Sequence, residues 1–426
     1  MSTTTVEKPK VKKSSKNSTG RDIIVTENHV HNALAFTDEV CTTYPDRLGG
    51  TYSCNDAGLR IMQEFEKTCD KGTVKRESFT CHPRSFLKHI RPVVIIYLAT
   101  VAAMFLDKPL YALAGLTLIL VVFSSQVVFY WKLFDFLFPK ETGYNIFGTV
   151  DPEGEVKQQI VLCGHHDAAY VFHYMEKSPK YYPLMVAAAI APFVLGIIFA
   201  IIINATGTGY QWMKIVMAVG TVGVIPLWWF TTDTVSPGAG DNMIAVALAN
   251  EGAKLFSDLK KQGKNPLKHT RLVCLTVDFE EAGLRGCMAY TKRHKKELTE
   301  TKTYALCMDT IFNADKLNFF NRDLNLTVKC SDQMAQECTE IAKNLGYGAR
   351  VNKMPWGGGS TDAAAFAKAG VEATCLLAFE LNVSNLQDDL VYHTPADTVE
   401  AIEPRVVEQC LNVIKEYVLK KDREEQ

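Results

Sequence analysis

The sequence predicts an α/β fold, a sheet with helices on both faces, interrupted by two apolar helical hairpins. Three observations predict it. Short strand-like runs alternate with helical patterns. Four apolar segments, paired by short turns, break that alternation. Residues able to hold a metal recur along the chain, and Gly164-His165 and Asp309 are expected just past strand ends, where such folds gather ligands.

The strand-like runs are Gln159–Cys163, Arg271–Val277, Ala305–Met308 and Thr374–Ala378, rich in aliphatic and β-branched residues. Helical patterns cover Asn55–Lys67, Ala245–Leu259, Ser331–Asn344, Asp362–Ala369 and Pro404–Leu419. The apolar segments are Pro92–Leu106, Leu110–Trp131, Leu184–Ile203 and Ile215–Phe230. A bilayer-spanning helix needs about 20 largely apolar residues, so the second and third suffice and the first and fourth need tilt or snorkelling flanks. Trp131, Trp212, Trp228 and Trp229 fall at segment ends, where interfacial aromatics sit. Burial in a soluble core is the competing reading, but two such pairs are too apolar for one domain of this size to cover.

The resulting division is a disordered basic tail at 1–21, catalytic parts at 22–84, 141–182 and 232–426, and transmembrane hairpins at 85–140 and 183–231. The tail carries Lys8, Lys10, Lys12, Lys13 and Lys16 among Ser and Thr, and no apolar run of ~7–15 residues follows to make a secretory signal. Turns at Asp107–Pro109 and Asn204–Gln211 return each hairpin to the side it left, so all catalytic parts share one compartment. Lys88, Arg91, Lys132, Lys140, Lys177 and Lys180 flank that side, against Lys108 and Lys214 on the other. The positive-inside bias therefore predicts a four-segment integral membrane protein with a cytoplasmic catalytic domain.

The 46 basic and 47 acidic residues give no electrostatic case for a nucleic-acid partner. Twelve cysteines are scattered without a framework, several inside apolar runs, and read as reduced thiols filling a core.

The chemistry lies in five motifs: Gly164-His165-His166-Asp167, Pro237-Gly-Ala-Gly-Asp241-Asn242, Glu280-Glu281-Ala-Gly-Leu-Arg-Gly286, Asp309 after a strand, and Tyr392-His393-Thr-Pro-Ala-Asp397-Thr398. Two imidazoles and three carboxylates form a borderline-to-hard ligand set suited to zinc, and one carboxylate can bridge two ions. Each motif alone has a bland reading, a solvated Glu-Glu face or a His-Thr-Pro turn. The ordered set does not. Gly357-Gly-Gly-Ser-Thr-Asp362 lacks the Lys of a phosphate loop.

These motifs resemble the zinc aminopeptidases that include secreted bacterial leucine aminopeptidases, with glutamate carboxypeptidases as relatives. The resemblance covers roughly 23–80, 144–169 and 237–419, and leaves the hairpins outside. It implies a three-layer αβα dizinc exopeptidase domain with a mixed central sheet, two zinc ions per chain and a peptide substrate. By the same resemblance His165 and Asp309 would hold one zinc, Glu281 and His393 the other, with Asp241 bridging. Asp167 would fix the His165 imidazole, Glu280 would be the general base, and Tyr392 would donate to the oxyanion. His166 stands at a variable position and is not expected to ligate, nor is His173. Met243-Ile244 replaces a small Ser-Gly pair and Thr361-Asp362-Ala363 replaces Ser-Asp-His; both departures are expected to act on pocket shape.

The activity expected is removal of N-terminal residues from short peptides by a membrane-embedded enzyme. Competing readings are a glutaminyl-cyclase-like acyltransferase, whose branch binds one zinc, and a non-catalytic receptor or scaffold.

Overall fold

A computed structural model describes residues 23–207, 211–355, 357–381 and 391–426. The expected basic tail and part of the Asn204–Gln211 turn lie outside them. The helices are α1 (Glu27–Thr43), α2 (Tyr52–Thr68), α3 (Ser85–Lys88), α4 (Ile90–Phe105), α5 (Pro109–Phe123), α6 (His173–Lys177), α7 (Tyr182–Thr206), α8 (Gln211–Val224), α9 (Ile244–Lys261), α10 (Arg285–Arg293), α11 (Lys295–Glu300), α12 (Asp332–Asn344), α13 (Asp362–Lys368) and α14 (Pro404–Glu424). The strands are β1 (Lys75–Cys81), β2 (Glu141–Val150), β3 (Gln158–His165), β4 (Tyr170–Phe172), β5 (Thr231–Val235), β6 (Thr270–Val277), β7 (Lys302–Ile311), β8 (Leu317–Asp323), β9 (Val328–Lys329), β10 (Ala349–Lys353) and β11 (Glu372–Ala378).

Among the described residues nine strands form one sheet in the order β1-β2-β6-β3-β7-β11-β8-β10, with β9 on β8. Its centre is parallel: β3 pairs with β6 and β7, and β11 with β7. Pairing of β2 with β1 and β6, and of β8 with β11, is antiparallel, so the sheet is mixed.

Side-chain alternation along the strands makes the layers. Ile160 and Leu162 of β3 join Leu272 and Cys274 of β6 in a core roofed by α1, α2, α9 and α14. Val161 and Cys163 point the other way, with Val273 and Leu275, against α10 and α13. All eight β3 residues are buried, as a strand covered on both faces must be. The three-layer expectation is borne out.

Four helical segments, Ser85–Phe105, Pro109–Val128, Leu184–Thr206 and Gln211–Trp229, are long and apolar enough to cross a membrane, and between 22% and 33% of each is buried. They form one bundle rather than two separate hairpins. Tyr97, Leu116, Phe193 and Met217 share a core, the Tyr97 hydroxyl donates to the Met217 carbonyl at 2.8 Å, and Lys214 pairs with Asp107 across the two turns. The remaining apolar faces, with Ile95, Leu110, Leu195, Ile201 and Val219 exposed, have no partner among the described residues.

Both hairpins are tied to the sheet domain. Asp135, after the first, accepts from Ser85 at 2.7 Å and pairs with Arg285 at 3.2 Å, all three buried. Removing one member of such a buried ion pair typically costs ~3–5 kcal/mol. Arg285, read from the sequence as part of a catalytic motif, therefore anchors the first hairpin. The second hairpin is held by the β4–β5 ribbon, which pairs Tyr170 with Val235 and Phe172 with Thr231 across its base.

Candidate metal centre

The carboxyl ends of β3, β6 and β7 bring the motifs together. His165 ends β3. Glu280 and Glu281 follow β6 in a loop where Phe279 has a φ of 56°, so the adjacent glutamates escape the opposite facing a strand would impose. Asp309 lies within β7 rather than past its end, because the strand runs on to Ile311. A register shift there, with Leu377 opposite Asp309 and Ala378 opposite Ile311, is the kind of bulge that re-aims a side chain. Asp241 sits in the irregular turn Ala239–Met243 that leads into α9, joined to Asn242 by a cis peptide bond. His393 occupies the left-handed region at φ 55°, which the surrounding structure must hold in place.

The central observation concerns Asp241. Its Oδ1 lies 3.3 Å from His165 Nε2 and its Oδ2 lies 3.0 Å from His393 Nε2, so one carboxylate presents an oxygen to each imidazole. Glu281 Oε1 adds a third atom, 3.3 Å from His393 Nε2. Ligand atoms of His165, Asp241 and Glu281 form one group within 4.8 Å, and those of His165, Glu280 and Asp309 another. His165 Nε2, His393 Nε2 and Asp241 Oδ2 are buried without a hydrogen bond of acceptable geometry among the described residues. Orphaned buried donors and acceptors converging at this spacing fit a divalent metal pair.

Supporting groups hold these atoms. His165 Nδ1 bonds the Asp167 carbonyl at 3.0 Å, so the expected grip of Asp167 on the imidazole runs through its backbone; the carboxylate lies farther off, at 3.5 Å. That carboxylate instead accepts from the Glu280 and Glu281 amides, each at 3.1 Å, and positions both glutamates. An amide side chain offers one acceptor atom where the carboxylate offers two. Asp167→Asn is therefore expected to lower metal affinity or turnover ~10–100-fold, read as zinc occupancy alongside kcat; wild-type values in both would rule out the positioning role.

Two residues that sequence reasoning did not single out do comparable work. Asp397 accepts from the Gly240 amide at 2.7 Å and the Asp241 amide at 3.3 Å, fixing the Asp241 turn. Gly240 must be glycine, since a Cβ there would run into the Phe312 ring. Arg47, 1% exposed, donates to the carbonyls of His166, Pro237 and Gly238 and so binds the β3 loop to the Asp241 turn. Asp397 was visible in its motif, whereas nothing in Tyr44-Pro-Asp-Arg47 marks a residue that acts on backbone carbonyls.

Of the two sequence departures, the first lies elsewhere than expected and the second stands among the charges of the candidate centre. Met243 and Ile244, at the start of α9, are fully buried in the core rather than in a pocket wall. Thr361 is buried against Asp323, with its hydroxyl donating at 2.5 Å, and Asp362 accepts from the Cys163 thiol behind β3 at 3.8 Å. Tyr392 stacks on the His393 ring at 4.0 Å. His166 turns away from the centre to share a hydrogen bond with Thr276 at 2.9 Å.

Without a metal, the buried charges perturb one another. Burial and the charge of Asp241 push the Asp309 carboxyl up to about 8. Burial alone would lower the His393 imidazole, but Glu281 and Asp241 hold it up at about 10. Both groups are therefore protonated at neutral pH and must lose a proton to ligate. Metal affinity is expected to rise with pH by roughly tenfold per unit for each proton displaced, two below about 8 and one from there to about 10. Calorimetric titrations in buffers of different ionisation enthalpy measure that release; a pH-independent affinity would contradict it.

Comparison with known proteins follows the same residues. Residues 221–418 match Peptidase family M28. The match takes in Asp241, Glu280, Glu281, Asp309, Tyr392 and His393, while His165 precedes the matched M28 region and joins it through geometry. A comparison with curated proteins found no match. Solved structures share the fold. A Zn-dependent exopeptidase from Parabacteroides distasonis is 13% identical, with 91% of this chain and 97% of that one covered and a TM-score of 0.54. A zinc aminopeptidase from Bacillus subtilis is 12% identical, over 94% and 96%, at 0.54. A glutaminyl cyclase from an Acidobacteriales bacterium is 16% identical, over 97% and 99%, at 0.55. The resemblance read from the motifs is borne out.

Proposed function

We propose that this protein is a membrane-embedded metallopeptidase that removes N-terminal residues from short, apolar peptides using two zinc ions. The observation that carries the reading is the Asp241 carboxylate set between His165 and His393, whose Nε2 atoms make no hydrogen bond of acceptable geometry among the described residues. His165 and Asp309 would hold one zinc, Glu281 and His393 the other, and Asp241 both. Bound zinc would polarise the scissile carbonyl and bring the pKa of the attacking water toward ~7.

The chain's own residues supply the proton path. Glu280, 8% exposed and 3.8 Å from His165 Nε2, takes the water's proton and returns it to the leaving amine. The Tyr392 phenol, in the field of Asp241, Glu281, Asp309 and Glu280, donates to the carbonyl oxygen as charge builds there. Asp167 keeps Glu280 and Glu281 on their two sides of the centre.

The test is a peptide-library digest by the detergent-purified chain, read by mass spectrometry with and without chelator. Stepwise, chelator-sensitive shortening from the amino end supports the reading; shortening only from the carboxyl end, or none, overturns it. A glutamine-led peptide belongs in the library, because glutaminyl cyclases share the fold. Loss of ammonia from it without chain cleavage would assign the cyclase activity instead.

The four apolar helices and the basic flanks support a catalytic domain on the cytoplasmic face. A single cysteine introduced at Thr206, in a background whose native thiols are blocked, is expected to react with an impermeant reagent from outside intact cells. One added after Gln426 is expected not to. The reverse pattern overturns the orientation.

A further inference from the structure

Beside the proposed dizinc centre lies a second group of buried ligand types that it does not use. Cys54 of α2, His166 after β3 and Asp278 after β6 are 0%, 1% and 2% exposed. Their ligand atoms all lie within 4.8 Å of one another. We propose that they form a separate zinc site, with a thiolate, an imidazole and a carboxylate as ligands, that pins α2 to the ends of β3 and β6.

The geometry fits a tetrahedral ion. Zinc bonds of ~2.3 Å to sulfur and ~2.0 Å to oxygen at a tetrahedral angle place those two atoms ~3.5 Å apart. Cys54 Sγ and Asp278 Oδ1 are 3.5 Å apart. His166 is oriented as a ligand is, by a bond at its other nitrogen: Nδ1 shares a hydrogen bond with the buried Thr276 hydroxyl at 2.9 Å, leaving Nε2 for the ion. No side chain stands over that nitrogen from the adjacent turn of α2, since position 58 is glycine and a Cβ there would come within 3.4 Å of Nε2. Asp278 is held by the Tyr144 amide at 3.1 Å and the Phe279 amide at 2.8 Å. A carboxylate has about four lone-pair sites, so capacity for an ion remains.

An entry path exists. Asp278 lines a polar cavity of about 440 Å³ together with Thr51, Asn55, Arg84, Glu141 and Tyr144. The fourth coordination position belongs to water from that cavity. Thiolate and carboxylate together neutralise a divalent charge, which suits a buried site.

The placement says what the ion does. His166 adjoins His165, and Asp278 stands two residues before Glu280. A metal on this trio would fix both loops that carry the proposed catalytic ligands.

The site can be tested independently of the peptidase reading, because the dizinc set contains only oxygen and nitrogen donors. Zinc X-ray absorption on the intact, detergent-purified chain is expected to show sulfur scattering at ~2.3 Å. Replacement by cobalt is expected to give a thiolate-to-cobalt charge-transfer band. Asp241→Ala, which dismantles the bridged pair, is expected to keep that band, and Cys54→Ser and His166→Gln to lose it with one metal equivalent per chain. Wild-type zinc without sulfur scattering overturns the site even if neither variant folds, and so does a folded Cys54→Ser with undiminished metal content.

Discussion

Glu280→Gln is expected to keep full metal content and lose ~10²–10⁴-fold in kcat, the usual cost of removing a general base. The substitution preserves shape and the backbone amide that donates to Asp167 at 3.1 Å, so the loop should stay in place. What it removes is a proton acceptor. Position alone does not separate a base from a ligand here, since Glu280 groups with His165 and Asp309 as closely as Glu281 does with His165 and Asp241. Metal analysis makes the separation. Loss of one ion with loss of rate would make Glu280 a ligand, and a wild-type rate would leave the base unassigned. Glu281→Gln is the complementary case, expected to lose metal first.

The candidate ligand set was legible in the sequence as a group because each member is a side chain whose chemistry is its own, whatever delivers it. Central strands were legible for a related reason: both faces of Gln159–Cys163 and Arg271–Val277 are covered, so hydrophobicity is nearly continuous. The edges were not. β1 reads Lys-Arg-Glu-Ser-Phe-Thr-Cys, a charged rim that protects a sheet edge from further pairing but hides its strand character. β2 carries Gly143 and Gly148; the polar end of β8, the short, mostly polar β10 and the weakly amphipathic α1 gave no periodic signal either. Arg47 escaped notice, and Asp397 was seen in its motif without a role, because both act on backbone atoms of distant loops. Assembly of the two hairpins into one bundle rests on contacts such as Tyr97 with Met217 and Asp107 with Lys214, between segments that no local pattern relates.

The bundle reaches the candidate metal centre through a line of aromatic rings, and this predicts substrate preference. Phe172 meets the His393 ring edge-on at 4.4 Å and the Phe230 ring at 4.9 Å, and Phe230 meets Tyr182 at 6.3 Å. Beyond them an apolar cavity of about 120 Å³ opens between α7 and α8, lined by Tyr174, Tyr182, Met185, Val186, Leu227 and Phe230. Excising the whole second hairpin would also strip α5 of its packing partner, so a point substitution isolates the cavity better. Val186→Trp is expected to fill it and to lower kcat/KM on apolar peptides by ~10–200-fold relative to polar ones, the discrimination a hydrophobic pocket supplies. Ile201→Trp, on the exposed face of the same helix and remote from the cavity, is the control and should leave that ratio unchanged. The fall should be confined to peptides long enough to span the aromatic line from the metal centre to the cavity. If Val186→Trp and Ile201→Trp give the same ratio as the wild type, the bundle is an anchor and apolar selection lies elsewhere.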